Sequence, residues 1–243
     1  MIKSIIILYL LAFNVVFAEV LHIESGIKKN TLIELYTSEG CSSCPPAEKY
    51  LNNFTKKKDL WKTWIPVAFH VDYWDYIGWK DRFAEKKFAQ RQRQYAQLKR
   101  ASTVYTPAFM VNGDSWRPGI FSRTLKEEQT QAGKLKVTLD GQTMTAHFKP
   151  VNSAIKKSKL NIAILGMDLS TDITRGENIG RHAEHEFVVV GFSSKESSNN
   201  LWNISLPALH YSDVKKFALA VWVSHGNDPT PLQAVGSLLP AYK

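Results

Sequence analysis

Thr37-Ser38-Glu39-Gly40-Cys41-Ser42-Ser43-Cys44-Pro45-Pro46-Ala47 is the stretch on which the reading of this chain turns. It is preceded by Thr31–Tyr36, a short apolar run that suits a strand. It opens into Pro46–Phe54, where Ala47, Tyr50, Leu51 and Phe54 recur at helical spacing. Proline is at home in the first helical positions, where its missing N–H would be unpaired anyway. Both sulfurs therefore stand at a helix N-terminus, where free backbone N–H groups and the helix dipole favour the thiolate of Cys41. A second thiol three residues on, Cys44, can resolve a mixed disulfide without leaving the site. As a mere staple, a four-residue loop would stabilise by about 2 kcal/mol, against roughly 4 or more for a long one. Stapling would favour distant cysteines, so redox chemistry explains the spacing better.

Outward from this motif the chain has two textures. Strand-like Ile65–Val71, helical Asp81–Ala101, strand-like Phe109–Val111 leading into Asn112-Gly113, and a closing helix over Ser122–Ala132 alternate in the manner of an α/β layer structure. After Gly133 the runs are β-like. Leu135–Leu139 and Thr143–Phe148 flank Asp140-Gly141, and Leu160–Met167, Phe187–Phe192, Leu201–Leu206 and Phe217–Val223 follow. The expected architecture is an α/β domain over 19–132 and an antiparallel, sandwich-like β-rich half over 133–243.

Residues 1–18 read as a secretory signal. Lys3 supplies the positive region, Ile5–Phe13 the apolar core, and Val16-Phe17-Ala18 the small residues before a cut near Ala18. The uncharged run is shorter than the roughly 20 residues of a spanning helix, so stable membrane insertion is not expected. The expected location is secreted or periplasmic, where a cysteine pair can be oxidised and needs a redox partner to cycle. The net charge of +9 over 243 residues leaves acidic partners open. Much of it lies between Lys80 and Arg100, which export makes a solvated face rather than a nucleic-acid surface. Neither a Gly-rich phosphate loop nor a Gly-x-Ser-x-Gly elbow is present.

The cysteine motif, together with Phe69-His70-Val71-Asp72-Tyr73-Trp74-Asp75-Tyr76-Ile77-Gly78-Trp79-Lys80-Asp81, Arg91-Gln92 with Tyr95, Tyr105-Thr106-Pro107, and Arg175–Arg181 with His185, resembles a family of secreted, thioredoxin-like bacterial proteins of unknown function. The resemblance runs from about Thr31 to the end. It implies a thioredoxin-like fold for the first half and export, but no established reaction. It also implies that a cis Thr106-Pro107 loop faces the cysteines and pairs with a substrate strand. Glu34, seven residues before Cys41, would match the buried acid that relays a proton to the second cysteine.

The resulting expectation is a thiol–disulfide oxidoreductase acting on an exported protein or small thiol. Its site residues are Cys41, Cys44, Thr106, Pro107 and Glu34, with no cofactor and no resident metal. Two alternatives stay open: a copper(I)-handling module using the same cysteines, and a non-catalytic binding domain. The dense His70–Asp81 segment reads either as a wall of the site, with His70 or Asp72 tuning the thiols, or as core and turn caps. A metal set of His70, Asp72 and Asp75 is a weaker reading. His182-Ala183-Glu184-His185 has ligand-like spacing but reads as a loop without metal.

Overall fold

The computed structural model describes residues 20–117, 124–155, 157–209 and 211–240; the secretory-signal reading lies outside them. The elements are β1 (Leu21–Glu24), β2 (Thr31–Thr37), α1 (Pro45–Asn52), β3 (Trp64–His70), α2 (Lys86–Gln97), β4 (Ala108–Val111) and β5 (Asp114–Trp116). There follow β6 (Gly133–Asp140), β7 (Thr143–Pro150), β8 (Ser158–Met167), β9 (Leu169–Asp172), β10 (His182–His185), β11 (Val188–Ser197), β12 (Leu201–Ser205), β13 (Lys216–His225) and β14 (Asp228–Leu238).

These strands do not separate into an α/β thioredoxin-like domain and a β-rich half, and that fold-class expectation is overturned. Of the described residues 46% are in strands and 14% in helices. Eight strands from both sides of Gly133 form one sheet in the order β14-β13-β8-β11-β3-β2-β4-β5. The reason lies in β3. All seven of its residues are buried, as in a strand covered on both faces and both edges. Its inner edge pairs with β2 in parallel, Leu35 opposite Ala68. Its other edge is closed by β11 from the distant half, through Val188 opposite Ala68 and the Ala68 N–H to Phe187 carbonyl bond at 2.8 Å.

A second sheet, β1-β6-β7-β12, takes the N-terminal strand into partnership with the hairpin after Gly133. β6 and β7 alternate buried and exposed residues, so each presents one apolar face. Leu135, Val137, Met144 and Phe148 pack from that face onto Ile162, Ile164, Leu219 and Val221 of the large sheet. The other face of β8 and β13 shares a core with α2, in which Phe192 stacks on Trp222 and Phe69 meets Trp222 edge to face.

Local differences have local causes. The expected closing helix is absent over 124–130; Ser122 and Arg123 lie outside the described residues. Its backbone pairs instead with the N-terminal segment (Lys29 N–H to Thr130 carbonyl and Ala132 N–H to Ile27 carbonyl, each 2.9 Å), and the Glu128 carboxylate closes a turn by accepting from its neighbours' N–H groups. The long helix expected from Asp81 starts only at Lys86. Asp81 Oδ2 is taken by the Glu39 N–H and His70, and Oδ1 accepts the Phe83 N–H two residues on, closing a local turn that competes with the helix. It ends where Lys99 takes φ 59° and the Arg100 N–H turns back to the Tyr95 carbonyl. The Asn112-Gly113 turn has positive φ at both residues, 51° and 92°, as a two-residue hairpin requires.

Candidate functional site

Cys41 and Cys44 form a disulfide. The Cys41 N–H donates to the Ser38 carbonyl and the Cys44 N–H to the Cys41 carbonyl, so the chain is already turning when α1 begins. Pro45 and Pro46 occupy the first helical positions, and Cys44 is the residue that starts the helix. The intervening Ser42 and Ser43 are exposed, whereas both cysteines are fully buried at 0%. A solvent-side position for Cys41, expected of an attacking thiol at a helix start, is not what the fold provides.

Two segments cover the pair. The first is a 3₁₀ turn, Asp72–Ile77, followed by Gly78 at φ 97°. Gly40 fits closely beneath it, since a Cβ there would lie 3.2 Å from the Trp74 Cβ and 3.4 Å from Ile77 Cδ1. The second is the segment between β9 and β10. Its Asn178, 2% exposed, donates from Nδ2 to the Glu39 carbonyl at 2.7 Å and to the Cys41 carbonyl at 3.0 Å. The two segments touch each other where Gly176 lies against Trp79 and the Ile77 carbonyl.

The Thr106-Pro107 peptide is cis. Trp74, which covers Gly40, donates from Nε1 to Thr106 Oγ1 at 2.6 Å, so this loop and the cysteine loop share one tryptophan as neighbour. Gln92 Nε2 holds the Tyr105 carbonyl at 2.6 Å from α2. Trp74 therefore links the Thr106-Pro107 loop to the glycine that precedes Cys41.

Glu34 is elsewhere. Side chains alternate along a strand, and Thr37 on β2 reaches Glu48 of α1, so Glu34 points to the opposite face, toward α2. There it is 1% exposed and accepts from Arg91 Nε (2.9 Å), Arg91 Nη2 (2.8 Å), the Tyr36 hydroxyl (2.7 Å) and the Tyr95 hydroxyl (2.6 Å). Burial, then the nearby Glu34 charge, hold both tyrosines well above their ordinary pKa. Arg91, read in sequence as part of a solvated basic face, is 6% exposed and belongs to this network.

Behind the disulfide lies a cluster of titratable groups that sequence reasoning glimpsed only in part. His70, at the end of β3 and 0% exposed, bonds through Nδ1 to Asp81 Oδ2 at 2.7 Å. The same oxygen accepts the Glu39 N–H at 2.8 Å. His185, 2% exposed at the end of β10, bonds through Nε2 to Glu39 Oε1 at 3.1 Å, and Trp79 Nε1 donates to Glu39 Oε2. His185 Nδ1 lies 3.0 Å from Glu48 Oε2. The two imidazoles stand edge to face, 5.3 Å apart. Burial disfavours charge on both rings, but the Asp81 carboxylate outweighs it at His70 and raises that pKa. At His185 the bond to Glu39 and the adjacent Glu48 outweigh burial and push it up to about 10. Burial works to raise Asp81 and Glu48, yet their histidine partners hold each carboxyl below its usual range.

Of these residues the sequence singled out His70, Asp81 and His185, but not as one cluster. The expected loop at His182–His185 is a strand pairing with β9, His185 opposite Leu169. That pairing carries His185 to the back of the cysteine turn. Glu48 had a usable signal, since it stands one helical turn after Cys44 and shares its face. Asp72 and Asp75 do not join His70; Asp75 caps the Asp81 N–H at 3.2 Å. Among the described residues, Glu48, His70 and His185 are the group whose donor atoms converge as a metal ion would need. A cleft of about 790 Å³ opens beside them between α1 and the β9–β10 hairpin, lined in part by Glu39, Glu48, Lys49, Asn178 and His185.

The fold and site define a β-rich protein with a covered disulfide at a helix N-terminus, backed by a buried acid–histidine cluster beside a cleft. The chain belongs to the family described as a protein of unknown function, DUF1223, whose model matches residues 32–224. A crystal structure of protein AGR_C_4864 from Agrobacterium tumefaciens is similar at 20% identity and a TM-score of 0.60, over 88% of this chain and 96% of that one. A structure of HBP35 of Porphyromonas gingivalis is similar at 12% identity and a TM-score of 0.58, over 88% of this chain and 76% of that one. At such identities the likeness concerns the fold alone. Comparison with curated proteins gives no match. No helix among the described residues is long and apolar enough to cross a membrane.

Proposed function

We propose that this is an exported thiol–disulfide exchange protein acting through Cys41 and Cys44 on an exported protein or small thiol. The observation that carries the reading is the disulfide itself, which closes four residues at the start of α1. Such a loop contributes only about 2 kcal/mol as a staple. Asn178 also bonds to the Glu39 and Cys41 carbonyls of the turn, so its backbone is held by a side chain from a distant segment.

In the oxidising direction a substrate thiolate attacks Cys41 Sγ. The Cys41–Cys44 bond breaks as the new S–S bond forms, and Cys44 leaves as a thiolate. A second substrate thiol then attacks the mixed disulfide and frees Cys41. The substrate loses two electrons and two protons, which the cysteine pair gains; reduction of a substrate disulfide is the same path reversed. Because both sulfurs are covered, the Asn178 segment must part before attack. Thr106 and Pro107 are the residues that would hold the substrate backbone.

Titration of the pair against glutathione buffers tests this reading. A potential between about −120 and −200 mV is expected of an exchange protein, whereas one below about −300 mV marks a structural bond and sinks it. The Cys44→Ala protein should trap mixed disulfides through Cys41, and the Cys41→Ala protein should not.

A further inference from the structure

We propose that Glu48, His70 and His185 form a binding site for a divalent metal ion of zinc-like character, independent of the exchange chemistry of the cysteines. The three come from three elements far apart in sequence, α1, the end of β3 and the end of β10. One donor atom from each lies within 4.8 Å of the others. Tetrahedral zinc with bonds of about 2.0–2.1 Å sets its donors roughly 3.3 Å apart, so side-chain movements of about 1.5 Å or less would close the set. His185 and Glu48 are already at 3.0 Å.

The orientation of the rings points to a ligand. Metal-binding histidines characteristically give their second nitrogen to a carboxylate, which fixes the ring and its tautomer. His70 gives Nδ1 to Asp81, and His185 gives Nε2 to Glu39. The nitrogens left over are His70 Nε2 and His185 Nδ1. Both are buried; His70 Nε2 has no hydrogen-bond partner among the described residues, and His185 Nδ1 faces Glu48 Oε2, the third proposed ligand, at 3.0 Å. A buried nitrogen left unpaired costs about 1–3 kcal/mol, and the orphaned His70 Nε2, beside the His185–Glu48 pair, points to an ion that all three would bind.

Charge and access agree with this. Glu39, Glu48 and Asp81 bring three carboxylates to the two imidazoles, an environment that suits a dication. Glu48, its side chain 12% exposed, lines the cleft beside α1, which gives an ion a way in. Two imidazoles and one carboxylate form the donor set of three-ligand zinc sites, whose fourth position is left open. The same set suits ferrous iron, so the donors define a borderline divalent ion, with zinc as the probe.

The test uses the disulfide-bonded chain, stripped of metal and dialysed against zinc chloride, with cobalt(II) as a spectroscopic substitute. The expected result is one zinc per chain retained through gel filtration. Cobalt should give intense visible d–d bands and no sulfur-to-cobalt charge transfer. Glu48→Gln and His70→Gln should each weaken zinc binding at least 100-fold. Asp81→Asn, which leaves all three ligands in place, should weaken it 10–100-fold. Circular dichroism on each variant separates lost ligation from lost folding, and the wild-type cobalt spectrum stands whatever the variants do. Failure of the wild-type chain to retain zinc, full affinity in a folded Glu48→Gln or His70→Gln chain, or a sulfur-to-cobalt band would each overturn the site. Persistence of zinc binding in the Cys41→Ser/Cys44→Ser chain is expected, and its loss would move the ligands to the cysteines. That outcome is separate from the redox titration, so either reading can fall without the other.

Discussion

Removing one partner of the Glu34–Arg91 pair should be the most damaging single substitution in the α2 layer. The carboxylate is 1% exposed and the guanidinium 7%, and the two meet through two parallel bonds of 2.9 and 2.8 Å. The guanidinium carbon also lies 5.1 Å from the Trp222 ring centroid. Arg91→Met leaves the Glu34 carboxylate buried with only two tyrosine hydroxyls, and Glu34→Leu leaves the guanidinium with only carbonyl and hydroxyl oxygens. Each should cost about 3–5 kcal/mol, because breaking a buried pair strands an uncompensated charge. The double variant strands neither charge. It leaves the Tyr36 hydroxyl without its Glu34 acceptor, while Tyr95 keeps the Pro229 carbonyl at 3.1 Å. Its cost should therefore be about 1–3 kcal/mol, that of one unpaired buried group, far below the sum of the singles. Urea unfolding followed by tryptophan fluorescence and circular dichroism measures this. With a slope near 3 kcal/mol/M, each single variant should lower the midpoint by about 1–1.7 M and the double by less. Additive losses, or single losses under about 1 kcal/mol, would refute the account. The potential of the cysteine pair should be unchanged in Glu34→Leu, since Glu34 faces away from α1; a marked shift would restore the proton-relay role that the sequence suggests.

Two further outcomes follow from the same geometry. Tyr36 and Tyr95 have pKa values raised above 10.0 by burial and then by Glu34, so the folded chain holds protons that the unfolded chain releases. Their stabilising contribution is complete below about pH 10 and is lost as pH rises further, at about 1.4 kcal/mol per pH unit for each; an alkaline unfolding slope no shallower in Tyr36→Phe/Tyr95→Phe would count against it. Asn178→Ala removes two bonds to the cysteine turn, at about 1 kcal/mol each or somewhat more where the carbonyl stays buried. It should speed reduction of the disulfide by a phosphine several-fold, and an unchanged rate would mean that Asn178 does not hold the cover closed.

How much of this was legible beforehand depends on the range of the interaction concerned. The Cys41–Cys44 turn, its prolines, the helix they open, the Asn112-Gly113 hairpin and most C-terminal strands are written in neighbouring residues, because capping, turn conformation and the alternation of apolar side chains act over a few positions. The apolar run of β3 also reads as a strand, but no local pattern says which strand closes its second edge. That choice belongs to β11, more than a hundred residues away, and it merges two expected halves into one sheet. The short strands β9 and β10 carry too little apolar pattern to be read as strands, yet their pairing carries His185 to Glu39 and Glu48. Glu34 and Arg91 show the same limit. A sequence shows a carboxylate on a strand and an arginine on a helix, and only packing decides that they neutralise each other. By itself, then, the sequence determined where a close cysteine pair stands and what local elements carry it. The tertiary structure alone decided that the pair is covered, that Glu34 turns away from it, and that two histidines meet behind it, because each depends on contacts between segments that local propensity does not connect.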